Sequence, residues 1–266
     1  MNIIDTHTHF YSKSFNDDRN EAINRAFEAG VFKMIVPCCD VDSMLKTNEL
    51  CNLYPGRLFP AFGLHPEDIA DHKKQLDEIF LSPMMQNAVA VGEVGIDLYW
   101  KKDNLDIQSE VFDYQIQKSI KLNLPLIIHC REAYPQTIDI LKPYKGKARG
   151  VFHCFCGTEH DAEEIYNLDN FLFGVGGVIT FKNSGAETAK IIAECIDIKD
   201  IVLETDSPYI TPVPHRGKRN ESSFITFTAQ KLAEIKNLPL ETVAEITTQN
   251  AEKMFNIYPP QKNDQR

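Results

Sequence analysis

The chain has 266 residues, of which 43% are hydrophobic and 25% are charged, so it is long enough to bury the core of one sizeable domain. Its formal net charge of −10 excludes a protein that coats long duplex nucleic acid, because such binding needs many phosphate contacts by lysine and arginine. No apolar stretch reaches the roughly 18 residues that span a bilayer, and no signal segment precedes the first apolar run, so we expect no membrane partner and a cytoplasmic location.

Short apolar runs alternate with amphipathic segments along the chain. The runs predict strands at 2–10, 33–38, 58–64, 88–96, 125–129, 150–155, 171–178 and 200–206. The intervening segments carry apolar residues at helical spacing, as in 107–122 and 188–195. Because strands that alternate with helices pair in parallel through right-handed crossovers, we expect an α/β fold with a single (β/α)8 barrel of the TIM type.

The C-terminal part of the chain predicts two further helices. The helical pattern over 222–255 is interrupted at 237–239, which indicates the last barrel helix followed by an extra C-terminal helix. The residues after Tyr258 are polar. We therefore expect one barrel domain over residues 1–258 and a polar tail over 259–266.

Potential metal ligands stand where several of the predicted strands end. The first run ends in His7 and His9, whose side chains share a face because successive residues of a strand alternate between its two faces. Since the carboxyl ends of barrel strands form one face of the fold, ligands on different strands converge there. The candidate ligands are His7, His9, Glu93, His129, His153 and Asp206.

These six ligands exceed the needs of one four-coordinate zinc ion, so we expect two divalent ions that share a bridging carboxylate. On this interpretation one ion is bound by His7, His9 and Asp206, the other by His129 and His153, and both by Glu93. Mixed histidine and carboxylate ligands suit Mg²⁺, Mn²⁺ or Zn²⁺. Two such ions can activate water and clamp the attacked group, which indicates hydrolysis of a phosphoester or amide.

Other polar residues near the strand ends have candidate supporting roles. Glu204 lies two residues before Asp206, and both are candidates to deprotonate the attacking water. Asp5 is expected to give structural support beneath the ions. His65, at the end of the third predicted strand, is a candidate to protonate the leaving group or to bind an anionic oxygen. Asp97 either faces the site or caps the next loop, and both alternatives stay open.

Basic residues near the same face are candidates for substrate binding. Arg131 follows a predicted strand and either contacts phosphate or pairs with a helix carboxylate. Arg216, Lys218 and Arg219 belong to a compact basic loop after the last strand, which either binds phosphates or is a solvated turn.

The motifs together resemble those of a known family. In order along the chain they are 5–9 (DTHTH), 63–66 (GLHP), 92–97 (GEVGID), 129–131 (HCR), 153–155 (HCF), 204–209 (ETDSPY) and 216–221 (RGKRNE). Over residues 1–258 the chain resembles the TatD family of metal-dependent deoxyribonucleases in the amidohydrolase superfamily. The resemblance implies a TIM-type barrel and the same six metal ligands. It also implies that the protein is a nuclease with DNA as its partner, often a 3′ to 5′ exonuclease that prefers single-stranded ends.

Other functions stay open at this point. A small-molecule amidohydrolase or a phosphotriesterase-like hydrolase uses the same barrel and metals, although a bridging lysine would favour it and Glu93 stands there instead. A non-catalytic scaffold that retains metal is a third alternative. Tyr99, Trp100 and Tyr209 are aromatic residues that either stack a base or pack in the core. The oligomeric state is not indicated, and a monomer is the default expectation.

Overall fold

A computed structural model describes residues 2–100 and 102–258. Over these residues eight strands alternate with eight α-helices, and a ninth α-helix follows. The strands are β1 (Ile3–Asp5), β2 (Val31–Pro37), β3 (Leu58–Ala61), β4 (Val91–Asp97), β5 (Leu126–Arg131), β6 (Gly150–Phe152), β7 (Phe171–Val175) and β8 (Ile201–Leu203). The helices are α1 (Arg19–Glu28), α2 (Val41–Leu53), α3 (His72–Phe80), α4 (Leu105–Leu122), α5 (Tyr134–Leu141), α6 (Glu159–Tyr166), α7 (Ala186–Cys195), α8 (Ile225–Lys236) and α9 (Leu240–Phe255). Among the described residues, none of the helices combines the length and hydrophobicity that crossing a bilayer requires.

The strands form a closed parallel barrel. They pair in sequence order as β1-β2-β3 and as β4-β5-β6-β7-β8, with every pair parallel. Backbone hydrogen bonds continue across both gaps, because the Thr6 N–H donates to the Leu203 carbonyl at 3.0 Å and the Phe62 N–H donates to the Ala90 carbonyl at 3.2 Å. The predicted (β/α)8 barrel is confirmed.

Several regular strands are shorter than the sequence predicts. Strand β1 ends at Asp5 and β8 at Leu203, so His7, His9 and Asp206 lie in the segments that follow the strands. Asp206 adopts a left-handed conformation with φ of 55°, which no regular strand accommodates. These residues still reach the predicted face because they directly continue the strands.

Helix α9 closes the opposite end of the barrel. Met254 and Phe255 pack with Ile257 against the barrel interior, which includes Ile4 and Ile35. Because this apolar cluster fills the amino-terminal end of the barrel, the carboxyl-terminal end is left as the open face. The predicted extra C-terminal helix is confirmed, and the predicted tail over 259–266 lies outside the described residues.

Candidate metal centre

Glu93 lies at the middle of a cluster of histidines on the open face. Strand β4 carries this residue, which is only 4% exposed. Its Oε2 lies 3.2 Å from His7 Nε2 and 3.5 Å from His9 Nε2. Its Oε1 lies 2.9 Å from His129 Nδ1 and 2.9 Å from His153 Nε2. The two oxygens of one carboxylate therefore face two different pairs of imidazoles.

Asp206 completes the first of these groups. Its Oδ1 lies 3.3 Å from His9 Nε2 and 3.6 Å from His7 Nε2, and the two imidazole nitrogens are 3.0 Å apart. The backbone N–H of Asp206 donates to the carbonyl of His7 at 2.9 Å, which ties the end of β8 to the end of β1. The structure thus brings all the residues predicted as metal ligands into one centre.

Asp97 orients the second group and also holds the next loop. The His129 Nε2–H donates to Asp97 Oδ2 at 2.9 Å, so His129 presents Nδ1 to the centre, 3.3 Å from His153 Nε2. Asp97 Oδ1 accepts the backbone N–H groups of Tyr99 at 2.9 Å and Trp100 at 2.7 Å. Asp97 therefore both faces the site and caps the next loop, the two alternatives that the sequence left open.

Gly95 allows the close approach of β4 to β5 at His129. Its φ is 141°, and a Cβ there would collide with the carbonyl oxygen of His129. Glycine is the residue that adopts such a conformation without steric cost.

Glu204 is held against His153, which differs from the catalytic position expected for it beside Asp206. Its Oε1 accepts the backbone N–H of Cys154 and lies 3.7 Å from His153 Nδ1, and the residue is fully buried. A Cβ on Gly174 would collide with Glu204 Oε2, so β7 leaves room for this carboxylate only because it carries glycine there. The carboxylate therefore lies beside His153 and accepts from Cys154, and the role of Glu204 in proton transfer stays a prediction.

Asp5 supports the centre through the backbone. Its Oδ1 accepts the N–H of His7 at 3.2 Å and of Thr205 at 3.0 Å, and its Oδ2 accepts the Thr205 hydroxyl at 2.6 Å. Burial raises the pKa of Asp5 to about 7, although these hydrogen bonds act in the opposite direction. The expected supporting role matches this position, but Asp5 joins the ends of β1 and β8 instead of contacting an imidazole.

His65 directs an N–H toward the centre. Its Nδ1 accepts the backbone N–H of Glu67 at 3.2 Å, so the proton of the neutral ring is on Nε2. This Nε2 lies 3.4 Å from Glu93 Oε1, and the ring packs edge-on against His129. With its proton on Nε2, His65 is placed to donate a hydrogen bond to a bound molecule.

Tyr11 is a contact of the centre that the sequence analysis missed. The His9 Nδ1 and the Tyr11 hydroxyl are 3.0 Å apart, and the same hydroxyl lies 3.2 Å from Cys39 Sγ. Burial and the nearby Cys39 raise the pKa of Tyr11 well above its usual value, so the hydroxyl stays protonated. Tyr11 follows His9 by two residues, and the same alternation that placed His7 with His9 would have indicated it.

The donor set fits divalent cations. Burial favours a neutral Glu93, but the neighbouring imidazoles of His153, His7 and His65 outweigh burial and hold the pKa of this carboxyl well below its usual range. Buried ionised carboxylates that face imidazole nitrogens are stable when they are paired or coordinate a metal. Histidine nitrogens combined with carboxylate oxygens are the ligands of zinc, manganese and related ions.

The exposed basic residues predicted to bind substrate lie around the open face. The Arg131 guanidinium lies 3.9 Å from the ring centroid of Tyr99. Arg216 lies in the same way over Phe181, at 3.9 Å. Arg216 and Lys218 are exposed in the loop after β8. Their charges are therefore accessible to a bound anion.

Arg219, which the sequence predicts as a phosphate ligand, is paired with a carboxylate of the protein itself. Its Nη1 and Nη2 donate to Asp18 Oδ1 at 2.6 Å and Oδ2 at 2.9 Å, and Nη1 also donates to the Ser14 carbonyl at 2.8 Å. Asp18 also accepts from Arg25 at 2.8 Å. Arg219 therefore fastens the loop after β8 to the start of α1.

Substitution of Asp97 by asparagine is expected to weaken divalent metal binding about 10- to 100-fold, the usual effect of losing such a supporting contact. The asparagine oxygen can still accept from Tyr99 and Trp100, but its NH₂ group faces the His129 Nε2–H and cannot accept it. Competition with a chromophoric chelator for Zn²⁺ or Mn²⁺ measures the affinity. Asp139→Asn, on the exposed surface of α5, is the matched control, and equal affinities of the two variants would contradict this role of Asp97.

Comparison with known proteins places the chain in a family. A family model described as TatD related DNase matches residues 4–256. YabD of Bacillus subtilis, named an uncharacterized metal-dependent hydrolase, is 36% identical over 258 residues that cover 96% of this chain and 99% of YabD. YcfH of Escherichia coli, which has the same description, is 30% identical over 261 residues that cover 97% of each chain.

Solved structures share the fold of this chain. The crystal structure of YjjV, a TatD homolog from Escherichia coli, has a TM-score of 0.88 at 29% identity and covers 97% of this chain and 98% of that chain. A TatD family hydrolase from Entamoeba histolytica has the same fold, with a TM-score of 0.86 at 23% identity and coverage of 97% and 99%. The chain therefore belongs to the TatD family of metal-dependent hydrolases.

Proposed function

We propose that the protein is a divalent-metal-dependent deoxyribonuclease, and that it removes nucleotides in the 3′ to 5′ direction from single-stranded ends. The observation that carries this proposal is the position of Glu93, whose two oxygens face two separate groups of ligands. Two ions bridged by one carboxylate are typical of enzymes that hydrolyse phosphoesters. The family description, TatD related DNase, supports DNA as the substrate.

The residues divide between two ion positions. His7, His9 and Asp206 would hold one ion, His129 and His153 would hold the other, and Glu93 would bridge them. Bound divalent ions supply charge stabilisation for the phosphoryl oxygens and lower the pKa of the attacking water. Mg²⁺, Mn²⁺ and Zn²⁺ are the candidate ions for this ligand set.

Two side chains handle protons in this scheme. Asp206 turns Oδ1 toward His7 and His9, and we assign to its Oδ2 the acceptance of the proton from the attacking water. His65 presents its Nε2–H on the side of Glu93 Oε1, where it can donate to the oxygen that leaves. Asp206 thus lies beside the two histidines that face Glu93 Oε2, and His65 lies beside Glu93 Oε1.

The acidic surface favours a strand end over a long duplex. A chain with a net charge of −10 has too few cations to neutralise many phosphates, but a strand end requires only a few contacts. Arg131, Arg216 and Lys218 are exposed near the open face and would contact the terminal phosphates. Affinity is then modest, and activity decreases as salt increases.

The test is hydrolysis of 5′-labelled single-stranded and duplex DNA by metal-stripped protein, with Mg²⁺, Mn²⁺, Zn²⁺ or no ion added back. The proposal predicts a metal-dependent ladder that shortens from the 3′ end and forms faster on the single strand. Absence of products with every ion would contradict it, and would favour a small-molecule amidohydrolase or a phosphotriesterase-like hydrolase built on the same centre.

Replacing Arg219 with alanine is expected to lower the free energy of unfolding by about 1 kcal/mol, since partly exposed ion pairs contribute little. The KM for single-stranded DNA should stay unchanged, because Asp18 already occupies the guanidinium. Lys218→Ala, from the same loop, is the matched variant and should raise KM without a change in stability. Thermal unfolding and steady-state kinetics measure both quantities, and a larger KM increase for Arg219→Ala would return this residue to the substrate site.

A further inference from the structure

Two aromatic side chains and an arginine form an exposed group beside the metal centre, which we call the aromatic platform (Tyr99, Trp100 and Arg131). Tyr99 is 43% exposed and Trp100 is 59% exposed. Their rings meet edge to face with centroids 4.6 Å apart. The Arg131 guanidinium carbon lies 3.9 Å from the Tyr99 centroid and 5.5 Å from the Trp100 centroid. This exposure rules out core packing for Trp100.

The aromatic platform is attached directly to a proposed metal ligand. Asp97 Oδ1 accepts the backbone N–H groups of Tyr99 and Trp100, while Asp97 Oδ2 accepts from His129 Nε2 at 2.9 Å. On the neighbouring strand, Arg131 pairs in register with Asp97 and its carbonyl accepts the Leu98 N–H at 3.0 Å. One carboxylate therefore fixes both the orientation of His129 and the position of the two aromatic residues.

The charge of Arg131 has no anionic partner in the described protein. Among residues 2–100 and 102–258, no carboxylate pairs with its guanidinium, which lies against the Tyr99 and Trp100 rings. Tyr99 holds the guanidinium in place and leaves its N–H groups for a ligand. A flat cation supported by an aromatic ring suits phosphate binding and stacking on a base.

We propose that the aromatic platform is a nucleobase subsite, in which one base of the substrate strand stacks on the indole of Trp100 and Arg131 donates to the adjacent phosphate. The inference rests on the proposed function and deepens it, because it makes the recognised unit a nucleotide and not a bare phosphate ester. Every base has a π-face, so the subsite tolerates any sequence. A single strand fits it, because the bases of a duplex are stacked on one another and are not free to bind.

Fluorescence gives a direct test, because Trp100 is the single tryptophan of the chain. The intact metal-loaded protein is titrated with a single-stranded oligonucleotide whose phosphorothioate linkages resist hydrolysis. Stacking on the indole predicts quenching of its emission. The same strand with abasic residues at its 3′ end should bind about 10- to 100-fold more weakly and leave the emission unchanged, since stacking contributes that much per base. Equal affinity and equal emission for the two strands would overturn the subsite.

Kinetics separate this inference from the proposed function. Trp100→Ala should raise the KM for DNA about 10- to 100-fold, Trp100→Phe should restore most of it, and hydrolysis of methyl p-nitrophenyl phosphate should not change. Tyr258→Ala is the matched control, because this aromatic residue is 57% exposed and follows the apolar cluster at the opposite end of the barrel. DNA hydrolysis with an unchanged KM in Trp100→Ala would overturn the subsite alone. Quenching without hydrolysis by any ion would support the subsite and overturn the nuclease.

Discussion

Replacement of Glu93 by glutamine is expected to lower kcat for DNA at least about 10³-fold and to release bound divalent metal. Glu93 lies between the two histidine groups, with one oxygen 3.2 Å from His7 Nε2 and the other 2.9 Å from His153 Nε2. Glutamine keeps the size of the side chain but loses the charge and one of the two acceptor oxygens. Lewis-acid stabilisation by bound ions contributes several kcal/mol, and about 4 kcal/mol corresponds to this factor.

The metal content of the purified variant, measured by plasma mass spectrometry, separates a metal effect from a folding effect. Glu78→Gln is the matched control, because Glu78 lies on the surface of α3, where it pairs with Lys74 at 3.6 Å. Circular dichroism should show both variants folded. A Glu93→Gln protein that keeps its full metal content and activity would refute the bridging position.

Replacement of His65 by alanine is expected to slow DNA hydrolysis about 10²- to 10⁴-fold, the range for removal of a general acid. The expected loss depends on the leaving group. An alkoxide leaves from DNA only when it is protonated, whereas p-nitrophenolate leaves without a proton. Hydrolysis of methyl p-nitrophenyl phosphate should therefore decrease much less, because the metal ligands remain intact.

The comparison of the two esters tests the role of His65 directly. His160→Ala serves as control, since His160 is an exposed histidine on α6. Equal losses on DNA and on the p-nitrophenyl ester would show that His65 supports the centre or binds substrate and does not protonate the leaving group. Its Nδ1 contact with the Glu67 N–H predicts the unequal result, because this contact keeps the proton on Nε2.

The sequence predicts the barrel and the ligand set because both depend on local patterns. Strand-length apolar runs recur between amphipathic segments, and the barrel topology brings their carboxyl ends together whatever the exact strand boundaries. The segment after β1 departs from a regular strand, yet His7 and His9 still meet Glu93, since the position of the strand end matters more than its regularity. The sequence also predicts the extra helix α9, because Pro239 and its neighbours interrupt the helical pattern before it.

Contacts between distant parts of the chain account for the differences between the sequence predictions and the structure. The sequence indicates that Arg219 belongs to a basic loop. Only the three-dimensional structure shows that it contacts Asp18 at the start of α1. Glu204 lies two residues before Asp206, so strand alternation predicts that both side chains face the same way. The space beside Gly174 lets the Glu204 carboxylate reach Cys154 and His153. The spacing of residues along the chain does not predict such contacts, because they depend on how segments far apart in the sequence pack together.

The two-ion centre bridged by Glu93 is tested most directly by anomalous diffraction from crystals loaded with Mn²⁺. We predict two anomalous peaks about 3.5 to 4 Å apart on either side of the Glu93 carboxylate, one bound by His7, His9 and Asp206 and the other by His129 and His153. A single peak, with His129 and His153 free of metal, would contradict the account.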